Sequence, residues 1–175
     1  GQGQYIDTSM MDGSIGTLLV HLAEVLVGGK APEPGQGRLA GGMPWYDVYR
    51  TADGRYVTLG AIEPKFWEAF CRAVEREDWI PLQSAGGEQL ERLRSELEQL
   101  FASQTMAWWL EKMKDVDTCF GPVLYLDEVP QDPQVKARGL VTQGPAPGGG
   151  VINMLANPIR LSRTPWKVGS PAPYL

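Results

Sequence analysis

Two short β-rich runs, Tyr46-Asp47-Val48-Tyr49-Arg50 and Tyr56-Val57-Thr58-Leu59, stand on either side of Ala52-Asp53-Gly54-Arg55, and this arrangement constrains the fold more than any other part of the sequence. A short Asp-Gly turn between two such runs specifies an antiparallel hairpin. The second run leads straight into Gly60-Ala61-Ile62-Glu63-Pro64-Lys65-Phe66-Trp67. Proline biases the residue before it toward extended geometry and suits the first position of a helix. Glu63 is therefore expected at a strand-to-helix junction, near the positive end of a helix dipole. Glutamate caps poorly beside the shorter Ser, Thr, Asp and Asn, so a solvated surface carboxylate is the ordinary reading of such a residue.

Helical spacing accounts for much of the remainder. Phe66, Trp67, Phe70, Cys71 and Val74 make one apolar face after Glu63, and Leu90, Leu93, Leu97, Leu100 and Phe101 make a second. Glu88, Glu91, Arg92, Arg94, Glu96 and Glu98 cover the other side of that second helix and read as a solvated face. A third helix is predicted from Thr105 to Lys114, with Met106, Trp109, Leu110 and Met113 inward as core. Upstream, Gln4 to Ser9 reads as a strand leading into a helix from about Asp12 to Val27, which Gly28-Gly29 ends. Lys30 to Gly42, rich in Gly and Pro, has the composition of a linker.

Downstream, Pro122-Val123-Leu124-Tyr125 is predicted as a strand, and Asp132-Pro133 as the cap and first position of a short helix ending near Gly139. The loop Gly144 to Gly150 lacks the strand-loop-helix setting and the lysine of a phosphate cradle, and reads as a flexible connector. Val151 to Met154 and Pro158 to Ser162 are candidate strands, followed by an irregular tail marked by Pro165, Pro171 and Pro173. The expected class is α+β. A small domain with a β-hairpin and packed helices spans 46–126, a linker spans 30–45, and the segments 1–29 and 127–175 flank them.

With 16 Lys and Arg against 21 Asp and Glu, the net charge of this 175-residue chain is -5, and no basic run follows a helix or strand. Nucleic-acid binding has little support. The longest apolar stretch, Ile15 to Val27, is broken by His21 and Glu24 and falls short of the roughly 20 residues of a membrane span. No signal segment is visible. Cys71 and Cys119, far apart and without metal-ligand spacing, fit a reducing, cytoplasmic setting and read as buried small apolar groups. His21, on the edge of an apolar helix face, reads as structural, and no metal site is expected.

Several blocks in order carry a family resemblance. Gly1-Gln2-Gly3-Gln4-Tyr5-Ile6-Asp7 with Met11-Asp12-Gly13, Gly41-Gly42-Met43-Pro44-Trp45-Tyr46, the hairpin, and Gly60-Ala61-Ile62-Glu63-Pro64 come first. Asp117-Thr118-Cys119-Phe120-Gly121-Pro122-Val123-Leu124, Asp132-Pro133-Gln134-Val135-Lys136-Ala137-Arg138-Gly139 and Leu161-Ser162-Arg163-Thr164-Pro165 follow. Together they resemble the α-methylacyl-CoA racemases within the family III CoA-transferases, the CaiB/BaiF family. Members are much longer, and the racemases' catalytic His and Asp belong to blocks upstream of Gly1. The resemblance therefore implies a C-terminal fragment, with 1–29 and 127–175 as strand and helix pieces of an incomplete α/β large domain. Asp7 is not the catalytic aspartate, which belongs to an earlier block.

The resemblance implies an acyl-CoA thioester as substrate and no separate cofactor. In the racemases a His and an Asp flank the α-carbon, and a small-domain Glu of the partner subunit in an interlocked homodimer pairs with the His; Glu63 occupies that position. Ile62, Tyr46 and Asp12 match positions that line the acyl pocket, each with a competing structural reading: core for Ile62 and Tyr46, a helix cap for Asp12. Transferases of the family use an upstream Asp to form covalent intermediates and often carry a glycine-rich loop where this chain has Ala61-Ile62-Glu63-Pro64. That difference favours racemisation over CoA transfer. A noncatalytic interaction module is the third reading.

Overall fold

The computed structural model describes residues 1–170, so Pro171 and Pro173 of the expected tail lie outside the described residues. The chain forms two compact units, the first ending at Val123 and the second beginning at Leu124. Both mix helix and strand, and the α+β class holds.

In the first unit the hairpin forms as its sequence requires. Strand β1 (Tyr46–Arg50) pairs antiparallel with β2 (Tyr56–Gly60), Tyr46 opposite Gly60 and Arg50 opposite Tyr56. Gly54 has φ +77°, which the turn needs and L side chains resist. The Thr51 hydroxyl and the Asp53 carboxylate tie the tip together, and the Ala52 amide donates to the Gln104 carbonyl at 2.9 Å. Strand β3 (Phe120–Pro122) adds to the far side of β2. The predicted strand at Pro122 to Tyr125 is thus displaced toward Phe120, because Phe120 supplies the apolar side chain that packs on the core.

Helices α3 (Pro64–Ala73), α4 (Glu88–Ala102) and α5 (Met106–Met113) cover one face of this sheet. A 3₁₀ helix, Glu77–Ser84, which the spacing did not reveal, joins α3 to α4. The core is aromatic and has two hubs. Phe101 stacks on Tyr49 at 4.7 Å and meets Trp109 edge-on at 5.0 Å; Trp67 lies 6.0 Å from Trp45 and 6.5 Å from Trp79; Phe70 touches both hubs. The three fully buried tryptophans each have an indole N–H partner: Trp67 donates to the Trp79 carbonyl, Trp109 to the Phe101 carbonyl, and Trp79 to the Glu96 carboxylate. Burial without such partners would be costly. The Tyr49 hydroxyl donates to the Pro44 carbonyl, and burial pushes its pKa up.

Two charges of α4 are not merely solvated. Glu96 takes Arg76, Arg92 and the Trp79 indole, and the guanidinium of Arg76 stacks 3.9 Å over the Trp79 ring. Arg94 reaches the Asp47 carboxylate at 2.6 Å and the Gly41 carbonyl at 2.7 Å, fastening the segment before β1 to the domain. The cysteines also divide. Cys71 is buried, its thiol pushed up to about 12 chiefly by burial, whereas Cys119, with φ +50°, is exposed.

The predicted strand Gln4 to Ser9 is irregular, since no strand of the described residues pairs with it. The single helix expected from Asp12 to Val27 is two, α1 (Met10–Thr17) and α2 (Leu19–Leu26), separated at Leu18, and neither buries a residue fully. Gly28, at φ +93°, ends α2 as expected. No helix of the described residues is long and apolar enough to cross a membrane.

In the second unit, α6 (Pro133–Ala137) is capped by the Asp132 carboxylate, which accepts from the Gln134 and Val135 amides. Strands β4 (Val141–Pro145) and β5 (Val151–Leu155) pair antiparallel. The Gly144 to Gly150 segment is therefore the end of a strand and a hairpin turn, not a flexible connector. Gly148, Gly149 and Gly150 all have positive φ, and the Ala146 amide donates to the Gly150 carbonyl at 3.0 Å. Pro158 to Ser162 is not a strand; its prolyl start lacks a ladder donor and the Ile159 amide is taken by the Asn157 side chain.

Candidate active site

The end of β2 delivers the chain to Glu63 through a turn whose backbone amides are hydrogen-bonded at Gly60, Ala61 and Ile62. Val57 and Leu59 point into the core on alternating positions, which fixes the register of the strand. At Gly60 the β3 side comes so close that a Cβ would meet the Cys119 carbonyl oxygen at 3.3 Å and the Cys119 Cβ at 3.4 Å. The Gly60 amide donates to that same carbonyl at 3.0 Å, and the Ala61 amide to the Trp45 carbonyl at 2.8 Å. Ala61 is fully buried.

Glu63 is the residue before α3, with φ −73° and ψ 139°, as the Pro64 argument requires. Its carbonyl accepts from the Phe66 and Trp67 amides at 3.0 and 3.2 Å. Its side chain is exposed and caps no amide of the helix. Among the described residues no hydrogen bond or ion pair engages the carboxylate. The carboxylate thus stands at the positive end of a ten-residue helix, presented to solvent.

Tyr46 and Ile62 lie close by in the fold. Tyr46 is directly across the ladder from Gly60, and its ring is 3.8 Å from where a Gly60 Cβ would stand. It lines a cavity of about 610 Å³ with Leu39, Asp47, Thr58 and Cys119. Ile62 is half-buried and faces a second cavity of about 300 Å³, walled by Val20, His21 and Glu24 of α2 and by Arg38 and Leu39. Leu39 lines both cavities. Asp12 stands apart, exposed in the first turn of α1 and on neither cavity wall. It is not the cap of that helix, because the Ser9 hydroxyl accepts from its amide at 3.0 Å. His21 is exposed on α2.

Sequence reasoning missed Gln83, whose side-chain amide donates to the Ala61 carbonyl at 3.1 Å and the Ile62 carbonyl at 2.9 Å. It sits in the 3₁₀ helix, and no local spacing ties it to a turn some twenty residues upstream. Arg94 was missed in the same way, although it holds Gly41 against the wall of the larger cavity.

A hairpin backed by helices, with an exposed glutamate at the strand-to-helix junction, is the setting in which the comparisons with known proteins fall into place. The model of CoA-transferase family III matches residues 1–175, and the chain belongs to that family. It is 35% identical over 142 residues to the α-methylacyl-CoA racemase of Homo sapiens, a match covering 79% of this chain and 36% of the relative. It is 29% identical over 182 residues to a succinyl-CoA:mesaconate CoA-transferase of Haloarcula hispanica, covering 100% of this chain and 44% of the relative. The crystal structure of a CaiB/BaiF family protein from Brucella suis shares the fold, with a TM-score of 0.70 at 22% identity over 99% of this chain and 46% of the other. The chain spans less than half the length of these relatives.

Proposed function

We propose that the chain is the C-terminal part of an enzyme that racemises 2-methylacyl-CoA thioesters, and that Glu63 is its contribution to proton transfer. The observation that carries this reading is the Glu63 carboxylate itself, held at a rigid junction and without a partner among the described residues. The 35% identity to a racemase supports it.

Inverting a carbon beside a thioester carbonyl requires one group to take the α-proton, a site to stabilise the enolate, and a second group to return a proton to the opposite face. One glutamate cannot do all three. In the proposed enzyme a His and an Asp of the large domain flank the α-carbon, and Glu63 of the other subunit pairs with the His. An ionised carboxylate beside an imidazole favours the imidazolium and orients the ring as a proton donor. The active site would then exist only in an interlocked homodimer. The segments 1–29 and 127–175 would belong to the large domains, which hold the CoA nucleotide. The many exposed apolar side chains of α1 and α2, Met10, Leu19 and Leu26 among them, agree with that assignment. Ile62 and Tyr46, lining neighbouring cavities, would meet the acyl chain.

CoA transfer between carboxylic acids is the second reading, favoured by the transferase relative that aligns along the whole chain. The two are separated by supplying the full-length protein with one enantiomer of a 2-methylacyl-CoA in deuterated water, with and without a carboxylic acid acceptor. Deuterium uptake with loss of chirality is expected. CoA transfer to the acceptor without exchange would replace the racemase by the transferase. Glu63→Gln is expected to slow α-proton exchange roughly a hundredfold with thioester binding retained, and an unchanged rate would remove Glu63 from the mechanism. This chain alone should have negligible activity; rapid exchange by it would show that the upstream His and Asp are not needed.

A further inference from the structure

Catalytic use of Glu63 requires that its Cα be fixed, and the two peptide groups that flank it are fixed by different means. On the downstream side its own carbonyl enters the hydrogen bonds of α3. The peptide on the upstream side joins Ile62 to Glu63, and its carbonyl oxygen belongs to Ile62. That oxygen, and the one before it on the fully buried Ala61, find no strand partner because β2 has already ended. Backbone carbonyls withdrawn from water need a donor. Both accept from a single group, the Gln83 Nε2, at 2.9 and 3.1 Å. The two amide hydrogens of Gln83 thus hold two consecutive peptide planes, the second of which aims Glu63.

Gln83 is itself well anchored. Its 3₁₀ helix buries Trp79, whose carbonyl accepts from the Trp67 indole at 3.1 Å, and Arg76 at the entrance to that helix is clamped by Asp78 and Glu96. The upstream peptide is therefore tied through Gln83 to the rigid aromatic core. Rotation of the Ile62–Glu63 peptide would swing the carboxylate away from its pose while leaving α3 intact.

We propose that Gln83 is a positioning residue for Glu63, acting through the backbone of the junction and touching no substrate. The proposal rests on the reading that Glu63 serves proton transfer. Its structural half is tested without that reading. Gln83→Met keeps the length of the side chain and removes both donors. In this chain it should speed amide hydrogen exchange at Ile62 about tenfold or more, with exchange at Phe70 in the middle of α3 unchanged; unaltered exchange at Ile62 would overturn the clamp. In the full-length enzyme Gln83→Met should lower kcat for α-proton exchange about tenfold, as small misplacements of a catalytic group do, with KM within about twofold. Gln83→Lys, whose ammonium can donate to both carbonyls, should recover most of the loss. Added to Glu63→Gln, Gln83→Met should cost nothing further. A full additional tenfold loss in that background would mean that Gln83 acts elsewhere and would overturn the positioning role. Glu63→Gln without effect would instead overturn the function proposed for Glu63, while the exchange at Ile62 would still decide whether Gln83 clamps the turn.

Discussion

The β1–β2 and β4–β5 hairpins are of the same size, five residues paired with five in each, and they differ in almost everything else. The β1–β2 hairpin buries Tyr49, Val57 and Leu59, gains β3 as a third strand and is backed by α3, α4 and α5. Among the described residues the β4–β5 hairpin has no third strand, and it leaves Val151, Ile152 and Leu155 exposed, with Gly144 alone buried in its strands. A Cβ at Gly144 would strike the Met154 sulfur at 2.4 Å, so close packing there is confined to one glycine and its neighbours. Pairing is a local matter of turn and register, but rigidity comes from what the sheet buries. The rigid hairpin is the one that carries Glu63.

The strongest way to sharpen this contrast is to empty the core behind the first hairpin. Phe101 is fully buried and meets Tyr49, Phe70, Trp109 and Phe120. Phe101→Ala should destabilise the first unit by roughly 3–5 kcal/mol. Urea titration followed by tryptophan fluorescence is a selective readout, because Trp45, Trp67, Trp79, Trp108 and Trp109 lie in this unit and Trp166 alone lies in the other. A loss under about 1 kcal/mol would mean that the site collapses without penalty and that the core is not what stiffens the hairpin.

The same contrast separates what was legible in the sequence from what was not. The Asp53-Gly54 turn, the β-rich runs on either side of it, and Pro64 after Glu63 all act within a few residues, and the hairpin and junction could be placed from them. Apolar faces at helical spacing likewise identified Trp67, Phe70, Leu93, Leu97, Phe101 and Trp109 as core. Illegible features depend on distant partners. Gln83 meets carbonyls 21 and 22 residues upstream, and Arg94 meets Asp47 and Gly41 across 47 and 53 residues. A polar side chain with such a partner has the same local signature as one facing water. Gly148, Gly149 and Gly150 look in sequence like a flexible connector, yet three positive φ angles shape them into a turn. Gln4 to Ser9 alternates like a strand, but alternation cannot supply the neighbour that a strand requires.

A smaller effect is expected at the charge cluster that braces the 3₁₀ helix. Hydrogen bonds from Arg76, then Arg92 and the Trp79 indole, hold the Glu96 carboxyl down at about 2, from an ordinary 4.5. A depressed folded-state pKa means stability that is present above about 4.5 and lost as pH falls toward 2. Asp78 shares Arg76 and is also lowered by it, so it contributes in the same direction. Glu96→Gln should cost about 1 kcal/mol at neutral pH, since the cluster is partly exposed to solvent. It should also flatten the decline in urea midpoint between pH 4.5 and 2 relative to the parent chain. Parallel declines in the two proteins would assign the acid sensitivity to other carboxylates.

The smallest effect should come from the second hairpin, and here a near-zero result is the informative one. Ile152 is β-branched, apolar and in a strand, as Val57 is. In the structure it is 47% exposed, whereas Val57 is 0% exposed. Ile152→Thr retains the branch and the strand propensity while removing apolar surface, so it measures burial and little else. In this chain it should change the stability of the second unit by no more than about 0.5 kcal/mol, read from amide hydrogen exchange within β4 and β5. The matching change at Val57 should cost several times more, because it places a hydroxyl in a packed core without a partner. If Ile152→Thr is nearly silent here but destabilises the full-length protein by more than about 1 kcal/mol, the face of β5 is covered in that protein, and the difference between the two hairpins is one of missing neighbours and not of design. A silent substitution in both settings would make the second hairpin a surface element in its own right.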